Sequence, residues 1–137
     1  MAKKYLISRS EMAQCARDLL NVPGRVWTFT GTLGAGKTTL VQEMLGILGV
    51  QGPIQSPTYT YVTVYALPNA RRLYHFDLYR LSSHNEFVQA GFDEYLYDER
   101  SLCFIEWPEI IKVGLPSDTI SITLAYAPNE QRIISVE

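Results

Sequence analysis

Two cysteines in 137 residues are too few for a disulfide framework, and Cys15 and Cys103 sit among apolar neighbours without metal-ligand spacing. Both are expected as small core residues rather than as a bridge or a metal site. An excess of positive charge is also missing. Twelve Lys plus Arg against fourteen Asp plus Glu leave a net charge of −2 with no dense basic run. That argues against a protein that grips nucleic acid by releasing counterions, so any nucleic-acid role is expected to be indirect. No apolar run approaches the roughly 20 residues of a membrane span, and Met1-Ala2-Lys3-Lys4-Tyr5 is too short and polar for a signal peptide. A cytoplasmic protein without a membrane role is expected. The two histidines, His75 and His84, have no evident partner and are expected as structural or surface residues. No repeat, low-complexity tract or linker divides the chain, so one domain over residues 1–137 is expected, with 47% hydrophobic residues to fill its core.

What the sequence does have is Gly31-Thr32-Leu33-Gly34-Ala35-Gly36-Lys37-Thr38, which fits the phosphate-binding pattern GxxxxGK[ST]. Arg25 to Thr30, rich in β-branched and aromatic residues, reads as a strand before it; Thr39 to Leu48 repeats apolar residues at helical spacing after it. Strand, glycine loop and helix is the context the chemistry needs. Glycines let successive N–H groups turn inward around an anion, and the helix adds its positive dipole end. The Lys37 ammonium can reach the β- and γ-phosphates of a nucleotide, and the Thr38 hydroxyl can ligate a Mg²⁺ that keeps most of its waters.

Taken in order, Ser10 reads as the N-cap of a helix whose apolar stripe is Met12, Cys15, Ala16, Leu19 and Leu20. Gly46, Gly49 and Gly52-Pro53 break the next helical pattern and lead into a loop containing Ser56 and Thr58. Tyr59 to Leu67 and Arg72 to Phe76, joined by Pro68-Asn69-Ala70, read as a hairpin. A short helix follows from Ser82 to Ala90, closed by Gly91, with another helical turn within Phe92 to Tyr97. Ser101 to Glu106, apolar until its last residue, suits a parallel strand buried on both faces. Pro108 starts a short helix, and Thr119 to Tyr126 with Arg132 to Val136 form a second hairpin. The expected fold is a three-layer α/β domain around a central, mainly parallel sheet with an antiparallel portion.

A bound triphosphate also needs acids, and in folds of this kind they stand at the C-terminal ends of neighbouring strands. Glu106 and Asp77 each end an apolar strand in that way, and spacing alone does not say which would hold the metal and which would orient a water. Thr58 lies where a loop sensing a γ-phosphate would be, although a plain turn explains it as well. Trp107 is either a base-stacking or loop-pinning side chain or a core aromatic. Arg80 reads as a solvated side chain or a stabiliser of phosphate charge, and the tyrosines of the first hairpin as packing or as a docking face.

The segments Gly31-Thr32-Leu33-Gly34-Ala35-Gly36-Lys37-Thr38-Thr39, Ser56-Pro57-Thr58-Tyr59, His75-Phe76-Asp77-Leu78-Tyr79-Arg80 and Glu106-Trp107-Pro108-Glu109 together resemble the TsaE family, also called YjeE. These are bacterial P-loop ATPases needed for threonylcarbamoyl-adenosine formation in tRNA, and the resemblance runs from about Ser10 to the C-terminus. It implies an ATPase with weak basal turnover that binds ATP and Mg²⁺ and supports the TsaB–TsaD complex, with tRNA engaged only indirectly and a monomer when alone. It further implies that residues 31–39 bind nucleotide, Lys37 and Thr38 at the phosphate and magnesium positions. Glu106 matches the magnesium-associated acid, Asp77 an acid important for hydrolysis, and Trp107 a nucleotide-proximal position. The family usually has Asp after the first loop glycine, where this chain has Thr32. Two other classes fit the loop itself: a small kinase, for which the chain has little room for a lid, and a guanine-nucleotide switch, for which no NKxD-like segment is present.

Overall fold

The strand over Ser101–Glu106 is buried along nearly its whole length, and the sheet extends outward from it on both sides. In the computed structural model, residues 3–32, 34–55 and 61–137 are described, with residues 51–55 described by their backbone alone. The elements in chain order are β1 (Lys3–Ile7), α1 (Met12–Leu19), β2 (Val26–Gly31), α2 (Lys37–Leu48), β3 (Gln51–Gln55), β4 (Val62–Leu67), β5 (Arg71–Asp77), α3 (His84–Gln89), α4 (Asp93–Leu96), β6 (Ser101–Glu106), β7 (Ile120–Ala127) and β8 (Gln131–Val136). A 3-10 segment, Pro108–Gly114, follows β6. The strands form one sheet in the order β1-β8-β7-β2-β6-β5-β4-β3. Its middle, β7-β2-β6-β5, is parallel, and antiparallel strands complete both edges.

Alternation along the strands divides the core into two layers. Phe29, Leu73, Phe104 and Ile122 face α1 and α2, packing on Ala16, Leu19, Leu40 and Met44. Tyr74, Phe76, Cys103 and Ile105 face the other way, onto Phe87, Leu96 and Ile111. The result is the expected three-layer α/β arrangement. Phe104 meets Phe29 edge-on, with ring centroids 5.6 Å apart, and each fully buried ring contributes about 1.5–3 kcal/mol. Tyr74 stacks on Tyr95 at 4.0 Å, so packing accounts for this tyrosine of the first hairpin. Cys15 and Cys103 are free and buried, and burial raises their thiols to about 11 and about 12, which keeps them protonated and unreactive.

Three local expectations are corrected. The first helical segment opens with a 3-10 turn, Arg9–Glu11, and is capped two residues early: Ser8 N–H donates to the Glu11 carboxylate at 2.8 Å, because Glu11 stands three residues on and closes a capping box that Ser10 could not form. Residues 51–55, read as loop from Gly52-Pro53, are an edge strand, where Pro53 is tolerated because an edge leaves one side of the ladder unpaired. The helix α2 also runs through Gly46 and stops at the left-handed Gly49, φ +67°. Among the described residues no helix is long and apolar enough to cross a membrane.

Candidate active site

The turn from β2 into α2 is shaped by backbone that only glycine accommodates. At Gly31 a Cβ would lie 2.5 Å from the Leu124 carbonyl oxygen of β7, and Gly36 caps α2 in a left-handed conformation, φ +105°, where an L side chain would cost about 1–2 kcal/mol. Ala35 N–H donates to the Thr32 carbonyl at 3.1 Å and tightens the loop. The first turn of α2 then presents Lys37 and Thr38 beside the C-terminal ends of β2 and β6, with Thr39 exposed next to them in sequence.

Lys37 and Glu106 are the only charged side chains that are buried among the described residues, at 6% and 3% exposure, and both are here. Buried charge is costly unless it is matched. The Lys37 ammonium donates to the Gly31 carbonyl at 2.5 Å and lies 3.6 Å from the centre of the Trp107 ring. Burial pushes its pKa down, and the carboxylates of Glu106, Glu109 and Asp77 offset this only in part, so that it ends below its ordinary value. Trp107 reaches this position through a left-handed backbone, φ +57°, uncommon outside glycine, and the Tyr79 ring rests against it at 4.9 Å.

Glu106 is held from both sides. Its Oε1 accepts from the Thr38 hydroxyl at 3.0 Å, and its Oε2 lies 2.6 Å from His75 Nε2. Burial pushes the carboxyl pKa up, but His75, Thr38 and Lys37 together outweigh it, and Glu106 ends below its ordinary value. Asp77 pairs in register with Glu106 across β5 and β6, so the two acids stand side by side at adjacent parallel strand ends. Asp77 is exposed, and its Oδ1 accepts from Tyr79 N–H at 3.3 Å.

The donor set fits Mg²⁺. Among the described residues no cluster of three or more His, Cys, Asp and Glu could hold a metal. The 3.0 Å between Thr38 Oγ1 and Glu106 Oε1 matches the separation, about 3 Å, of neighbouring ligands in an octahedron with bonds of 2.0–2.1 Å. Thr38 and Glu106 would be the residues that hold such an ion, which would supply positive charge beside a bound phosphate.

His75, expected to have no partner, is therefore part of this cluster. His75 and Asp77 are two apart on β5 and so share one face, as strand alternation alone implies, and the register of β5 on β6 puts Glu106 on that face. Arg132 was also not foreseen: from β8 its Nε donates to the Ala35 carbonyl at 3.2 Å while its guanidinium lies 4.5 Å from the centre of the Tyr126 ring. Arg80 and His84 are exposed and away from these contacts. Leu33 and the segment Ser56-Pro57-Thr58-Tyr59 lie outside the described residues.

A parallel strand feeding a GxxxxGK[ST] loop into a helix, with acids at the ends of the next two strands, defines a P-loop protein. Within that class the chain belongs to the TsaE family: the family model "Threonylcarbamoyl adenosine biosynthesis protein TsaE" matches residues 6–134. It is 42% identical over 103 residues to the tRNA threonylcarbamoyladenosine biosynthesis protein TsaE of Haemophilus influenzae, covering 75% of this chain and 64% of that protein. Its identity to the Treponema pallidum protein of the same name is 39% over 113 residues, covering 82% of each. The fold superimposes on the crystal structure of Bacillus subtilis YdiB with a TM-score of 0.74 at 29% identity, over 99% of this chain and 84% of that one.

Proposed function

We propose that this protein binds ATP with Mg²⁺ at residues 31–39, hydrolyses it slowly, and through that cycle supports tRNA N6-threonylcarbamoyladenosine formation by the TsaB–TsaD complex. The observation that carries the reading is the Thr38–Glu106 contact at 3.0 Å beside the buried Lys37. It brings a phosphate-neutralising cation, a metal-ligating hydroxyl and an acid from the adjacent parallel strand to one point.

In this reading the loop amides and the N-terminus of α2 hold the phosphates, and Lys37 leaves the Gly31 carbonyl to neutralise the β- and γ-oxygens. Thr38 and Glu106 hold the magnesium ion, which when bound supplies charge neutralisation on the transferring phosphoryl group. Asp77, exposed and one strand further on, orients the attacking water and accepts its hydrogen bond. Trp107 keeps the lysine and the nucleotide's phosphate end out of bulk water. The net charge of −2 suits a protein that meets tRNA only through partners, in the cytoplasm where that complex works.

The test is ATP turnover measured alone, with TsaB–TsaD, and with candidate small-molecule acceptors. Expected is slow release of inorganic phosphate alone and at least about a tenfold rise with the complex, as partner-completed P-loop sites show. Phosphate appearing on an acceptor other than water would replace the ATPase reading with a kinase.

A further inference from the structure

We infer that His75 is a positioning residue that fixes Glu106 as a one-oxygen ligand, holding Oε2 so that only Oε1 is presented toward Thr38 and the metal ion. The inference rests on the magnesium-nucleotide reading above and adds a residue to it.

The geometry is specific. Glu106 sits at the end of β6 with 4% of its side chain exposed, and His75, on the neighbouring β5, is 15% exposed. Each carboxylate oxygen has its own partner, Thr38 on Oε1 and His75 Nε2 on Oε2 at 2.6 Å. An ionised carboxylate only accepts hydrogen bonds, so the proton in the shorter contact belongs to Nε2. With Oε2 committed in this way, rotation about the last side-chain bond would break the His75 contact, and two-oxygen chelation would have to displace it. Mg²⁺ demands compact octahedral geometry and takes single oxygens, whereas the larger Ca²⁺ readily accepts both oxygens of one carboxylate. His75 therefore favours the smaller ion, and partners of this kind commonly tune metal affinity by 10–100-fold.

The experiment is equilibrium binding of ATP to the wild type, His75→Leu and His75→Gln, titrated with Mg²⁺ and separately with Ca²⁺, plus a metal-free arm in chelator. Leu removes the donor; Gln retains an N–H at nearly the same reach. Expected are equal metal-free ATP affinities for all three, a Mg²⁺ midpoint raised about tenfold in His75→Leu, and return to within about threefold of wild type in His75→Gln. The Ca²⁺ midpoint should move less, so that the preference for Mg²⁺ narrows. A His75→Leu titration that overlays the wild type, or a Gln variant as impaired as Leu, would overturn the role of His75 while leaving the nucleotide site standing. A wild type that binds no ATP, with or without metal, would overturn both.

Discussion

Lys37→Ala is expected to abolish measurable ATP binding, a loss of at least about 100-fold in affinity, or near 3 kcal/mol. The size follows from where the charge is. Lys37 is the one buried cation among the described residues, lodged between the Gly31 carbonyl and the Trp107 ring, with the charges of Glu106, Glu109 and Asp77 acting on it. Without it, a triphosphate carrying several negative charges would face those acids with only main-chain dipoles and the magnesium ion to balance them. Titration calorimetry with Mg-ATP gives the answer, with a thermal melt of the variant alongside to show that it is folded. Binding within tenfold of wild type would mean that the loop does not hold phosphate through Lys37.

The second large effect is on turnover. Glu106→Ala and Asp77→Ala should each lower ATP hydrolysis by about two to three orders of magnitude while ATP affinity changes by no more than about tenfold. The two variants should differ in stability. Asp77 is exposed and its loss should be nearly neutral, within about 0.5 kcal/mol. Glu106 is buried, and its removal leaves Thr38 and His75 without their acceptor, at a cost of about 1–3 kcal/mol. Glu106→Gln keeps the shape and one acceptor, so it separates loss of charge from loss of packing. Because the folded Glu106 carboxyl lies below its ordinary value, its contribution to stability is present above the unfolded pKa of about 4.3 and disappears as pH falls through the lower folded value. Denaturant melts between pH 3 and 6, at roughly half-unit steps around that value, should therefore show a steeper acid loss for wild type than for Glu106→Gln. Turnover of Glu106→Ala at the wild-type rate would remove this residue from the chemistry.

The parts of the molecule legible in the sequence are those where local pattern and tertiary role agree. The run Ser101 to Glu106 could only be a strand covered on both faces, and it forms β6 with the same limits. Gly91 and Pro108 mark element ends, and a serine at 82 or 83 was legible as a cap, with the structure choosing Ser83, because capping and proline geometry are local matters. What failed to show was set by pairing. Residues 51–55 carry Gly and Pro and have no strand signal of their own; they become β3 because β4 offers a free edge. Lys3–Ile7 likewise becomes β1 by pairing with β8, far away in sequence. The same holds at the site. Glu106 and Asp77 were visible as strand-ending acids, but the His75 contact needs the register of β5 on β6, which no single segment encodes. Arg132 reaches Ala35 across 97 positions of chain and was invisible for the same reason.

The indole set against the Lys37 ammonium also gives the protein its own optical reporter. Trp27 is enclosed in the core at 2% exposure, so its emission should stay constant as ligands come and go. Trp107 has a positive charge 3.6 Å from its ring centre, close enough to polarise its excited state. Any event that draws the ammonium toward phosphate alters that field, so the fluorescence of the unlabelled chain should change as the site is filled.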